Sequence, residues 1–291
     1  MKSTRSSGIK RTSVNVVTLA KSSFLHYEMT SPLQTGNSGA CLYGFQKSIL
    51  LLPLGVLYLI MSNAEISVLS AGAVEPGMVK VIDEFRRATA RDVRITFATA
   101  PVILKRIGAA DSLDVIIAPP AVLDEWVKAG KAAPGNRVTI GRIGVGVMVC
   151  AGTPLLRIAT VDEFKQALLS AQSVVYNQAS TGIYLEKLFE RLGIAEHLKT
   201  KTVRYPDAAA VLDHIRKGRG DEIGLGATTV ILEGENKGLT FVGPLPPEIQ
   251  NYTTYAATVV AAGSASEAAR EFVRYLTAPV AQKVFAAAGI Q

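Results

Sequence analysis

Val115-Ile116-Ile117-Ala118 is a continuous apolar run, opened by Asp114 and stopped by Pro119-Pro120. Side chains alternate between the two faces of a strand, so a run apolar at every position suits a strand buried on both faces. Such strands occur where helices cover a parallel sheet. The flanking sequence follows the same logic. Ile66-Ser67-Val68-Leu69-Ser70 is β-like and ends at Ala71-Gly72-Ala73, and residues 76–88 carry Met78, Val81, Ile82 and Phe85 at helical spacing. Val93-Arg94-Ile95-Thr96-Phe97 alternates like a strand and ends at Ala98-Thr99-Ala100-Pro101, after which 102–107 and 122–129 read as helices. Short strands alternating with helices predict an α/β chain built on mainly parallel sheets flanked by helices.

The pattern then repeats. Residues 141–151, rich in Val and Gly, predict a longer strand crossing into a second lobe. There, helices over 161–169, 183–192 and 208–217 alternate with strands over 173–176, 202–205, 222–227 and 239–242. Residues 252–261 would return, and helices over 266–276 and 279–288 would pack on the first lobe. This assigns 65–145 and 256–291 to lobe 1 and 146–255 to lobe 2.

Residues 1–64 read as an N-terminal extension and signal segment. Lys47 precedes an apolar core over 49–61, and Ser62-Asn63-Ala64 supplies small residues where a signal is cleaved. The core is 13 residues long, short of the roughly 20 that span a bilayer. Export to the periplasm is therefore expected, with an uncleaved anchor as the alternative. The formal net charge is +7, but the first 64 residues hold six Lys/Arg and one acidic residue. The remainder has 25 basic and 23 acidic residues, which removes the electrostatic case for a nucleic-acid partner. Cys41 lies ahead of the signal core. Cys150, alone in the exported part, reads as a small core residue, and the protein is expected to act as a monomer.

The tools of an enzyme are missing from the sequence. His197 falls in a polar loop and His214 on a helix, and no HExxH, CxxC, G-x-S-x-G or P-loop pattern occurs. No enzymatic activity, cofactor or protein-bound metal is expected. What recurs is a strand ending in small residues that open a helix, at Gly72-Ala73, Thr99-Ala100 and Ser180-Thr181-Gly182. The first turn of a helix leaves N–H groups unpaired and carries partial positive charge, so several such turns aimed at one cleft make an anion site. Any parallel α/β fold has capped turns of this kind. The set, rather than any member, points to a site.

Val68-Leu69-Ser70-Ala71-Gly72-Ala73, Phe85, Phe97-Ala98, Asp114-Val115-Ile116-Ile117-Ala118, Gly182-Ile183-Tyr184, Leu188, Leu192-Gly193 and Ile223-Gly224-Leu225-Gly226 resemble the periplasmic molybdate-binding proteins of ABC importers. The likeness spans about 66–290. It implies a two-lobed type II periplasmic-binding fold with two crossings, which closes on a small anionic ligand and hands it to an ABC permease in the inner membrane. It also implies serine ligands at two positions that here are Ala73 and Ala100, a tyrosine near Ala227 and a backbone donor near Ala209. Hydroxyls are lost at three places while Thr181 adds one. Each hydrogen bond to a charged ligand is worth about 1.5–3 kcal/mol, so the loss disfavours a bare metal oxyanion and suits something bulkier, such as a small organic acid. Ser70, Thr99, Asn177 and Arg204 are polar groups at the expected rims. A membrane-anchored sensing module and an enzyme on the same fold are the alternative functions.

Overall fold

The computed structural model describes residues 65–291 except 109–112, 133–134, 136, 219–220, 236 and 262–266. The signal segment, with its core 49–61 and Cys41, lies outside the described residues. In the first lobe the chain forms β1 (Ile66–Ala71), a 3-10 turn (Gly72–Val74), α1 (Glu75–Thr89), β2 (Val93–Ala98), α2 (Ala100–Lys105), β3 (Val115–Ala118) and α3 (Pro120–Lys128). It then runs through β4 (Val138–Cys150) into α4 (Val161–Ser170), β5 (Ser173–Asn177), α5 (Ser180–Arg191), α6 (Ala195–Leu198), β6 (Thr202–Tyr205), α7 (Ala208–Lys217), β7 (Glu222–Ala227), α8 (Thr228–Gly234) and β8 (Leu239–Pro244). A second 3-10 turn (Pro247–Ile249) leads to β9 (Tyr252–Val259), α9 (Glu267–Tyr275) and α10 (Pro279–Ala287).

The strands lie in the order β2-β1-β3-β9-β4-β7-β5-β6, with β8 also on β4. β1 pairs in parallel with β2 and β3, and β5 in parallel with β6 and β7. β4 and β9 run against their neighbours. β4 carries the link between the lobes: up to Gly144 it pairs with β9, and from Val145 onward with β7 and β8. Tyr252–Tyr255, which the sequence groups with the second lobe, pair with Gly144–Gly141 on the first-lobe half of β4. The return therefore enters the first sheet already at Tyr252.

Packing explains the pattern. Val115, Ile116, Ile117 and Ala118 are all fully buried, as a strand covered on both faces requires. On one side, Phe85 of α1 meets Phe272 of α9 edge to face at 5.1 Å, which docks the C-terminal helices onto the first lobe. In the second lobe the period of two divides the strands cleanly. Val174 and Val147 join one apolar cluster with Phe164, Leu185 and Leu188, while their neighbours Val175 and Met148 join another with Val211, Ile215 and Ile231. Local chemistry starts the helices. The Thr160 hydroxyl accepts from Glu163 N–H ahead of α4, and Asp207 Oδ1 accepts from Ala210 N–H in the first turn of α7.

Both crossings are braced. Arg142 N–H donates to the Gln291 carbonyl at 2.7 Å, and Gln291 N–H donates back at 3.0 Å. The C-terminal residue is thereby laced onto β4. Gly141, at φ 156°, makes this possible: a Cβ there would lie 2.6 Å from Ile290 Cγ2 and 2.8 Å from the Gln291 carbonyl oxygen. Where β4 changes lobes, the side-chain amide of Gln250 accepts from Val145 N–H at 2.9 Å and donates to Val145 O at 3.0 Å. It acts as a one-residue strand partner at the change-over. Two sequence expectations are corrected. Cys150 is half-buried at the end of β4, with Sγ 3.7 Å from the Arg216 carbonyl, because the strand runs past the core there. His197 lies in α6 rather than a loop.

Candidate functional site

The C-terminal ends of the parallel strands place the expected residues. Gly72 and Ala73 form the 3-10 turn after β1, and Thr99 and Ala100 open α2. Ser180, Thr181 and Gly182 make the first turn of α5, Ala209 lies in the first turn of α7, and Ala227 closes β7. In open α/β sheets these ends form the crevice.

Contacts join Ala73, Ala100, Ala227 and, through Asn177, Gly182. Ala227 is buried in the first-lobe cluster, against which Ala73 and Ala100 also pack. The same Ala227 lines a cavity of about 10 Å³ with Asn177, Ala208, Gly226 and Val230. Asn177 in turn touches the first turn of α5, since a Cβ on Gly182 would lie 1.7 Å from the Asn177 carbonyl oxygen. Gly182 is thus required by close packing of α5 over the end of β5, whatever a ligand needs. Gly72 is different: a Cβ there would meet nothing within 4 Å.

The polar groups sort into used and free. Ser70 is fully buried and its hydroxyl turns to the Ala71 carbonyl, so it is no rim donor. Arg204 is paired with Glu186 at 2.6 Å. The hydroxyls of Thr99, Ser180 and Thr181 are half-exposed and make no hydrogen bond among the described residues. Asn177 is 8% exposed, and its Oδ1 accepts from Ala179 N–H at 3.0 Å. Glu75, at the start of α1, is still reached by water. Its carboxyl is nonetheless raised above the ordinary range, first by burial and second by Glu233 of α8. Burial, with the Glu186 charge behind it, likewise raises the phenol of Tyr176 beside Asn177. No group of three or more His, Cys, Asp or Glu side chains arranged to hold a metal ion occurs among the described residues.

Thr229 and Gln250 escape sequence reasoning, and Tyr184 takes a role that the sequence does not show. Thr229, fully buried on α8, donates to the Ala73 carbonyl at 2.6 Å. Gln250 clamps the crossing. Tyr184, one turn into α5, donates to the Ile249 carbonyl at 2.6 Å, so the tyrosine of the Gly-Ile-Tyr motif grips the return crossing. A signal for Thr229 is present as Thr228-Thr229 directly after a small-residue strand end, the same pattern as at the other turns.

Comparison with known proteins fits this geometry. Residues 66–291 match the family model described as bacterial extracellular solute-binding protein. An aconitate isomerase from a Pseudomonas species is 29% identical over 234 residues, covering 78% of this chain and 87% of that protein. The periplasmic molybdate-binding protein of Azotobacter vinelandii superposes with a TM-score of 0.67 at 18% identity, covering 78% of this chain and 99% of that one. PEB3 of Campylobacter jejuni, solved with L-phospholactate bound, gives 0.60 at 13% identity over 77% and 98% of the two chains. At these identities the structures establish the fold, a two-lobed type II periplasmic-binding fold. The resemblance to molybdate-binding proteins drawn from the residues holds at that level.

Proposed function

The chain belongs to the bacterial extracellular solute-binding proteins, and on that premise we propose that it captures a small organic anion between its lobes and delivers it to an ABC permease. The observation that carries the reading is the lining itself. The first turns of α5 and α7, the turn after β1 and the unbonded hydroxyls of Thr99, Ser180 and Thr181 all follow the C-terminal ends of parallel strands, and this reading brings them to one cleft. Alanine occupies positions 73, 100 and 227. Such a lining supplies donors without a fixed counter-charge and leaves room for carbon. Molybdate, with hydroxyls wanted on every side, is less well served than a small carboxylate. One relative is named for aconitate, and the structural neighbour PEB3 was solved with L-phospholactate bound; both are organic anions, which agrees with this choice. Export through the segment 49–61 would place the protein in the periplasm.

Isothermal titration of the protein starting at Glu65 against trans-aconitate, citrate, molybdate, tungstate and sulfate tests the reading. Affinity for a carboxylate above that for the inorganic oxyanions is expected. Tightest binding to molybdate or tungstate would overturn the ligand class, and silence toward all five would overturn the anion site.

A second reading has one observation in its favour, the isomerase name of the 29% identical relative. On that reading the cleft would convert one carboxylate isomer into another. Incubation with cis-aconitate and chromatographic separation of the isomers decides between them. Binding without conversion supports capture, and conversion establishes an enzyme.

A further inference from the structure

We infer that Asn177 is the side-chain donor that fixes one anionic oxygen of the ligand in the recess between β5, α7 and β7. The inference rests on the anion-cleft reading above and names an atom within it. Asn177 ends β5 and is 8% exposed. Its Oδ1 accepts from Ala179 N–H. That donor settles which end of the carboxamide is oxygen, because two N–H groups cannot share the contact. The other end, Nδ2, makes no hydrogen bond among the described residues. The nitrogen itself is not sealed from solvent, since Trp126 and Ser173 hold the buried side-chain polar atoms without partners among the described residues, so a ligand oxygen would replace water as its partner.

The recess beside it is suited to supply one. Asn177 lines the cavity of about 10 Å³ together with Ala208, Gly226, Ala227 and Val230. That volume takes one oxygen-sized group. Ala208, which lines this space, is the first residue of α7, a helix of 10 residues whose first-turn N–H groups lack partners within the helix. Asp207, the carboxylate at that helix start, is exposed and accepts from Ala210 N–H. The wall therefore offers donors from a neutral amide and a helix end, and apolar surface elsewhere. A deprotonated oxygen of a carboxylate or of an inorganic oxyanion fits. A ligand group that must donate finds no acceptor in Asn177, whose oxygen is already engaged.

Asn177→Asp isolates the nitrogen. A carboxylate oxygen still accepts from Ala179 N–H, so the loop cap is kept, while the donor is replaced by a negative charge. Calorimetric titration of both proteins with trans-aconitate, citrate, molybdate and sulfate should show the wild-type protein's best ligand weakened roughly tenfold or more, with melting temperature nearly unchanged. In the wild-type protein, the Asn177 side-chain NH₂ signal in nitrogen-15 NMR should move on addition of that ligand. The second measurement decides if the variant does not fold. Equal affinity in Asn177→Asp, or an unmoved NH₂ signal, overturns the role of Asn177 and leaves the capture reading standing. A wild-type protein that binds none of the four overturns both. Comparison of the carboxylate and oxyanion arms tells which source supplies the oxygen.

Discussion

The hydroxyl of buried Thr229 donates to the carbonyl of half-buried Ala73 across 156 positions of sequence, at 2.6 Å. It ties α8, which follows the last second-lobe strand of the cleft, to the turn that opens the first-lobe helix. Thr229→Val preserves the shape of the side chain and leaves the Ala73 carbonyl unpaired, which costs about 1–3 kcal/mol. Thr229→Ser keeps the donor and should recover most of that loss. Denaturant unfolding of the pair separates the hydrogen bond from packing, and equal destabilisation by both would assign the effect to the lost methyl group.

Gln250 is the corresponding clamp at the crossing. Gln250→Ala leaves both polar groups of Val145 without the bonds seen at 2.9 and 3.0 Å, a loss of about 2 kcal/mol. For a domain of this size that lowers the melting temperature by about 4–8 °C. Hydrogen exchange at Val145 N–H should accelerate in the variant. An unchanged exchange rate would mean that water replaces the amide without penalty.

The buried phenol of Tyr255 on β9 is pushed up from the ordinary 10 to about 12 by burial. The folded state therefore holds this proton more tightly than the unfolded chain. The stability that follows is complete below pH 10 and is lost as pH rises from 10 through about 12. By linkage, a difference of that size between the folded and unfolded states is worth roughly 3 kcal/mol at the alkaline end. Tyr255→Phe has no proton to lose, so its denaturation midpoint should fall less steeply over that range than that of the wild-type protein. Parallel curves would show that other groups set the alkaline limit.

Most of the architecture is legible in the sequence because it depends on short-range pattern. The elements Thr202–Tyr205, Ala208–Lys217 and Glu222–Ala227 have the bounds that the sequence pattern predicts. Periodicity, Pro-Pro stops and small-residue turns are local signals, and they recur here with little noise. α8 escapes because seven residues are too few to show a helical period. The side-chain partners are beyond reach for a different reason. Gln250 meets Val145 across 105 positions, and Ser70 and Thr99 look alike in sequence although one is buried in its strand and the other is free at a rim. Which polar group remains unpaired depends on the packed lobes, and that is where the candidate site is decided.

Gly72 and Gly182 allow the site to be separated from the scaffold. Both stand in small-residue turns and look equivalent in sequence. A Cβ on Gly182 would strike the Asn177 carbonyl at 1.7 Å, so Gly182→Ala must push α5 away from β5. Overpacking of that kind costs about 1–3 kcal/mol or more, and the loss should appear without any ligand. A Cβ on Gly72 meets nothing within 4 Å, and its φ lies outside the left-handed region. Gly72→Ala should therefore leave stability unchanged within about 0.5 kcal/mol. If the ligand approaches the backbone of this turn, the added methyl group occupies its space, and affinity should fall roughly tenfold with the melting temperature of the unliganded protein unaltered. Unchanged affinity in Gly72→Ala would remove the turn after β1 from the site and leave recognition to the second lobe.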